Sequence, residues 1–203
     1  MAVKVVTDSS SYFPPDIADE LDITIIPLYV RFGDDTYHDG IDISTDEFYT
    51  RLAHDRVKPK TSTPSPGDYA RIYSKLADTA DGIVSIHLSP RYSSALHAAI
   101  AAKDYVTEKC KIEVIDSKSV SMGCGLAVIA AARAAKTEAN MEQITDMVRD
   151  TLSRTHITEM DSYINYLLRG RRLALPEVYI LFGKLGTIFR LKLVGEIYRA
   201  GRV

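Results

Sequence analysis

Four short runs rich in Val and Ile, at residues 3–7, 23–31, 82–88 and 112–115, recur along the 203-residue chain with helical patterns between them. Runs this apolar have no wet face, so both sides of the sheet they form must be covered. Parallel strands need long crossovers, and helical crossovers supply that cover. The spacing predicts an α/β fold, a mainly parallel sheet with flanking helices. At 46% hydrophobic and 26% charged, the composition is that of a globular chain rather than a disordered or fibrous one. Its length suffices for one good-sized domain, or for one domain and part of a second.

Several helix starts are marked. Ser44 with Glu47 three residues on reads as a capping box, and Ser65 followed by Pro66 as an N-cap with proline at the first helical position. Asn140 with Gln143 reads as a third start, ahead of Ile144, Met147, Val148 and Leu152 at helical spacing. In FGDDTYHDGIDI the turn formers Gly33, Asp34, Asp35, Asp39 and Gly40 flank residues 36–38 and predict a small hairpin at a sheet edge. Beyond residue 160 the character changes. SYINYLLRG reads as a helix stopped by Gly170, and RLKLVGEIYRAGRV alternates as a hairpin would. The predicted organisation is an α/β ligand-binding domain over 1–158 and a partial second α/β domain over 159–203. Residues 169–203 carry eight Lys or Arg against Glu177 and Glu196. Such a basic stretch suits an acidic partner, a phosphate, a membrane surface or ordinary solvated faces.

Much is excluded. Cys110 and Cys124, with thirteen residues between them, match no metal-ligand or redox spacing and read as free thiols of a reducing compartment. The start, MAVKVV, has no secretory pattern. The most apolar run, GLAVIAAARAA at 125–135, is too short to cross a bilayer and contains Arg133. A cytoplasmic protein with no integral membrane segment and no nucleic-acid partner is expected. No dinucleotide or phosphate-loop fingerprint occurs, and His38, His54, His87, His97 and His156 stand alone without a metal spacing. Neither a cofactor nor a metal is expected. Cys124, opening an Ala-rich helix beside Gly123 and Gly125, reads as a packing residue.

What remains is a set of hydroxyls. Three predicted strands end in small polar residues: Thr7-Asp8-Ser9-Ser10-Ser11, Ser89 with Ser93 and Ser94 beyond it, and Asp116-Ser117-Lys118-Ser119. A fourth polar loop, Thr61-Ser62-Thr63-Pro64-Ser65-Pro66-Gly67, precedes a helix. Any one of these is an ordinary helix cap. Their recurrence points further, because ligands of open α/β sheets sit outside the carboxyl ends of the strands, where helix N–H groups point outward. Neutral hydroxyls and N–H donors suit an anion held without covalent change. Asp8 and Asp116 can orient hydroxyls, polarise a serine or cap turns, and His87 reads as a packed strand residue. An enzyme acting on a small substrate through Asp116 and His97 is the competing reading.

Taken together, Thr7-Asp8-Ser9-Ser10, Asp39-Gly40-Ile41-Asp42-Ile43-Ser44, Thr61 to Gly67, Ser85-Ile86-His87-Leu88-Ser89, Val114-Ile115-Asp116-Ser117 and Ser121-Met122-Gly123 resemble the DegV family in order and spacing. The resemblance extends to Tyr166-Leu167-Leu168-Arg169-Gly170-Arg171-Arg172. It implies a fatty-acid-binding protein rather than an enzyme, with an N-terminal α/β domain, a C-terminal lid, and an acyl chain between them. It implies a long-chain fatty acid as ligand, Thr61 and Ser93 as carboxylate-contacting hydroxyls, Ser94 as a further donor, and Ser9 and Ser10 nearby. It also implies presentation of the lipid to a fatty acid kinase, with a homodimer as a further expectation. Three departures stand out: Ser89-Pro90-Arg91-Tyr92-Ser93-Ser94-Ala95 replaces a glycine-rich loop, Thr63 replaces a glutamine, and a shortened lid, without a C-terminal histidine that helps bind the carboxylate, is expected. A binding-impaired homologue kept for its interactions is therefore a further alternative.

Overall fold

The computed structural model describes residues 2–106, 110–161 and 193–196. The chain divides into two compact units, Met1–Arg154 and Thr155–Val203. In the first, a four-stranded parallel sheet comprises β1 (Val3–Asp8), β2 (Ile23–Ile26), β6 (Gly82–His87) and β7 (Lys111–Asp116) in the order β2-β1-β6-β7. Among the described residues this unit also holds six α-helices: α1 (Pro15–Leu21), α2 (Thr45–His54), α3 (Pro66–Ala77), α4 (Ala95–Lys103), α5 (Ser121–Lys136) and α6 (Met141–Arg154). This is the mainly parallel sheet with helical cover that the four apolar runs predict.

The period-2 alternation of the strands splits the core in two. Val3, Val5, Val84 and Ile86 face one side, against Cys124, Ala127, Val128 and Ala131 of α5 and Ile144 and Val148 of α6. Val6, Ile83 and Ile112 face the other, against Tyr69 and Tyr73 of α3 and Ala99 and Ala102 of α4. Close packing of α5 depends on its small residues. A Cβ on Gly125 would stand 2.5 Å from the Ser11 carbonyl oxygen, so glycine is required there.

The second apolar run is not one strand. It breaks after Ile26 at Pro27, whose nitrogen has no proton to give a ladder. The chain resumes as β3 (Tyr29–Phe32) in a different, antiparallel sheet of order β4-β3-β5, with β4 (Asp35–His38) and β5 (Lys60–Ser62). The expected hairpin is β3–β4. Its two-residue turn places Gly33 at φ +63°, the left-handed conformation that glycine adopts without steric cost. A small core of Val30, Phe32 and Ile43 supports this sheet, and the Arg51 guanidinium lies 4.2 Å from the Phe32 ring centroid.

All three marked helix starts are capped. Ser44 Oγ accepts from Glu47 N, while Ser65 and Asp68 form a reciprocal capping box. Asn140 and Gln143 exchange two backbone-to-side-chain bonds of 2.9 and 3.0 Å. In the second unit, β8 (Thr158–Asp161) pairs antiparallel with β9 (Leu193–Glu196). Leu193–Glu196 of the alternating stretch is thus a strand, paired with a distant segment, and the other residues of the expected hairpin lie outside the described ones. The 166–172 motif, the helix stop at Gly170 and most of the basic stretch lie outside the described residues.

Candidate functional site

Strand order marks where a candidate site lies. β2 lies to one side of β1, and β6 and β7 to the other, so chain connections diverge between β1 and β6. The crevice outside the carboxyl ends of such a strand pair is where open α/β sheets take ligands. The residues that follow β1 and β6 are Ser9, Ser10 and Ser11, and Leu88 to Ser94.

After β1 the chain makes a single 3-10 turn, Ser9–Ser11, capped by Asp8. Asp8 Oδ1 accepts from the Ser10 backbone N–H at 3.1 Å and from the Ser10 hydroxyl. Ser9 Oγ accepts the Leu28 N–H at 3.1 Å, tying the turn to the break between β2 and β3. Thr7 Oγ1 donates to the Ile86 carbonyl at 2.8 Å and lies against Ser11 Oγ. Turn capping and hydroxyl orientation, left open for Asp8 by the sequence, are both realised in this one carboxylate.

After β6 the chain turns over Pro90, with Tyr92 N–H donating to the Ser89 carbonyl at 3.0 Å, and enters α4. Ser93 Oγ accepts the N–H of Ala95, the first residue of α4, at 3.2 Å, while the N-cap position itself is Ser94. Thr63, just beyond β5, lies 3.1 Å from Ser93 Oγ, and its Oγ1 accepts from the Ser94 hydroxyl at 3.0 Å. Three hydroxyls thereby gather at one helix N-terminus, where the dipole favours an anion. Thr61 is exposed in β5, opposite Val30 of β3.

Four of the five sequence-derived site residues therefore fall into two places, and the fifth, Thr61, stands on β5. Ser93 and Ser94 meet at the α4 terminus with Thr63. Ser9 and Ser10 stand at the β1 turn, committed to Leu28 and Asp8. Thr63, singled out in sequence only as a departure, is the residue that joins Ser93 to Ser94. Asp116 Oδ1 accepts the Lys118 N–H at 2.7 Å, which closes a turn. His97 is exposed on α4, and among the described residues no hydrogen bond links it to Asp116.

Beneath the crevice lies a buried polar layer. His87 Nδ1 is 2.7 Å from Asp8 Oδ2, His87 Nε2 is 2.7 Å from Ser85 Oγ, and Tyr73 donates to Ser85 Oγ at 2.7 Å. The Tyr69 ring packs edge-on to His87 at 5.4 Å, and burial pushes the phenols of Tyr69 and Tyr73 upward, so both keep their protons. Sequence reading placed His87 in the packed interior, but its partners were invisible, since Asp8 is 79 residues away. On the β2 side, a cavity of about 450 Å³ opens beside Ser9 and Ser11, walled by Tyr12, Phe13, Pro14, Ile25, Pro27 and Ile41. Among the described residues no cluster of His, Cys, Asp and Glu could hold a metal ion, and no helix is long and apolar enough to cross a membrane.

With this geometry in view, the chain can be set beside known proteins. A sequence model described as "Uncharacterised protein, DegV family" matches residues 2–202. A DegV domain-containing protein of Caldanaerobacter subterraneus is 34% identical over 178 residues, 88% of this chain and 63% of that protein. The Lactococcus lactis protein YejH is 33% identical over 197 residues, 97% of this chain and 68% of its own length. The chain thus spans about two thirds of the length of these curated relatives. Among solved structures, a fatty-acid-binding DegV family protein from Thermus thermophilus superposes with a TM-score of 0.83 at 28% identity, over 100% of this chain and 72% of that one. DegV of Bacillus subtilis, described as a fatty acid binding protein, gives 0.82 at 28% identity over 97% and 68%. A stearic acid-binding protein from Eubacterium ventriosum gives 0.78 at 30% identity over 85% and 60%. By the match of that family model over residues 2–202, and by these relatives, this chain belongs to the DegV family.

Proposed function

We propose that the chain binds a long-chain fatty acid, with the carboxylate received by Ser93, Ser94 and Thr61 and with Ser9 and Ser10 lining the approach. The carrying observation is the gathering of Thr63, Ser93 and Ser94 hydroxyls at the N-terminus of α4. Uncharged donors at a helix dipole hold a carboxylate by hydrogen bonds and leave it chemically unchanged, which is the work of a binding protein rather than an enzyme. The described fatty-acid binding of the Thermus thermophilus and Bacillus subtilis relatives supports the same reading. Residues 159–203 are assigned to the lid, and a cytoplasmic fatty acid kinase is the proposed recipient of the bound acid. Self-association as a homodimer belongs to the same proposal.

The test is direct. Protein purified from cells should release a fatty acid identifiable by mass spectrometry, and oleate or palmitate should bind in solution. Hydrogen bonds to a charged group contribute about 1.5–3 kcal/mol, so Ser93→Ala and Thr61→Ala should each weaken binding by about tenfold or more. Failure of myristate, palmitate, stearate and oleate alike to bind would sink the reading.

A second reading rests on one observation. Thr63, Ser93 and Ser94 already satisfy one another, and Pro90 stiffens the loop that carries two of them. A chain whose cradle stays closed on itself would serve as an interaction homologue. It would bind a kinase or another acidic partner while showing no fatty-acid affinity, and charge reversal of Arg169, Arg171 and Arg172 would abolish that binding.

A further inference from the structure

Asp8, His87, Ser85 and Tyr73 are fully buried, and their hydrogen bonds run without interruption from α3 through β6 to β1. The sense of this chain follows from its proton count. Tyr73, its phenol pushed upward by burial, donates to Ser85 Oγ. Ser85 then has one proton to give, and its remaining neighbour is His87 Nε2 at 2.7 Å. Nε2 must therefore accept, and a neutral imidazole whose Nε2 accepts carries its proton on Nδ1. That proton faces Asp8 Oδ2 at 2.7 Å. The opposite sense would set a bare Nδ1 lone pair against a carboxylate oxygen.

The other oxygen of Asp8 looks outward. It accepts both the N–H and the hydroxyl of Ser10. The adjacent Ser9 Oγ accepts the Leu28 N–H, and the Leu28 carbonyl accepts the Asp39 N–H at 2.9 Å. One residue on, β3 begins, and it pairs Val30 with Thr61. The buried chain thus ends on the hydroxyl turn and on the junction that leads to the strand holding Thr61.

We propose that His87, held as the neutral Nδ1–H tautomer by Tyr73 and Ser85, is a positioning residue. It orients the Asp8 carboxylate and, through it, the Ser9–Ser11 turn and the Leu28 junction. Its consequence for ligand affinity rests on the fatty-acid reading above. Its consequence for the turn does not.

The experiment is nitrogen-15 imidazole and amide NMR on the full chain. Wild-type His87 should show a protonated Nδ1 and an unprotonated Nε2. Asp8→Asn should invert this, because the amide NH₂ now donates to Nδ1; the same substitution in the serine-protease triad yields the wrong tautomer for the same reason. His87→Leu should speed exchange of the Ser10 and Leu28 amides and weaken oleate binding, each by about tenfold or more, as loss of a hydrogen bond to a charged group implies. His87→Asn, which returns an N–H donor near the Nδ1 position, should bring both back toward wild type. An Nε2–H tautomer in the wild type, an uninverted tautomer in Asp8→Asn, or unaltered amide exchange in a folded His87→Leu would overturn the proposal. Where His87→Leu does not fold, the Asp8→Asn tautomer decides. If the wild type binds no fatty acid, the ligand reading fails alone, while tautomer and amide exchange still judge the positioning.

Discussion

At the scale of single residues, Cys124 illustrates how packing controls chemistry. It is fully buried, and desolvation first, then the nearby Asp8 charge, push its thiol up to about 12. Cys110 is also buried and also shifted upward. Thiol reagents should therefore leave both unlabelled in the native protein at pH 8 and label both in denaturant; rapid native labelling of Cys124 would show that α5 opens. The neighbouring Gly125 has a different constraint. Overpacking at a tight site costs about 1–3 kcal/mol, and here the obstacle is the Ser11 carbonyl rather than a flexible side chain. Gly125→Ala should lower the urea midpoint accordingly, and an unchanged midpoint would mean that the Ser11 turn is free to retreat. The small residues of this helix were legible in sequence as close packing. The hydroxyl turn they pack against was not, because Ser11 and Gly125 are far apart in the chain.

At the scale of elements, the helix starts were readable because a cap involves residues three apart. Ser65→Ala and Asn140→Ala should each cost about 1 kcal/mol in equilibrium unfolding. The Ser65 effect carries a pH signature. Hydrogen bonding to Ser65, and then the Arg71 charge, hold the Asp68 carboxyl below its ordinary range. A lowered folded value means that this stabilisation is present at neutral pH and is lost as pH falls below about 4 and through the folded value. The cost of Ser65→Ala, measured by denaturant titration, should therefore shrink between pH 7 and pH 3; an equal cost at both would show that Asp68 contributes nothing to the cap. Strands were less readable. Residues 23–31 form two strands in two sheets, and only Pro27 hinted at the break. β5 gave no signal, since Lys60, Thr61 and Ser62 are all exposed and lack any apolar alternation.

At the scale of the molecule, the first unit has its own two-sided core, with helices covering both faces of the parallel sheet. A chain ending at Arg154 should consequently unfold in one cooperative transition with helical and strand signals intact. A broad, non-cooperative transition would show that this core needs the residues beyond it. Strand order also explains why the hydroxyl loops could be ranked only in part from sequence. Ser9, Ser10, Ser93 and Ser94 all follow strands, but the divergence of chain connections between β1 and β6 is what marks the carboxyl ends of those two strands as the place where open α/β sheets take ligands.

The sequence by itself determined the class of fold, the helix starts and the placing of hydroxyls after strands, because each depends on residues close together and on the periodicity of one segment. Tertiary structure alone decided that Thr63 joins Ser93 to Ser94, that β5 pairs with β3, and that Asp8 finds His87. Those partners are tens of residues apart, and only the packed sheet brings them within hydrogen-bonding distance.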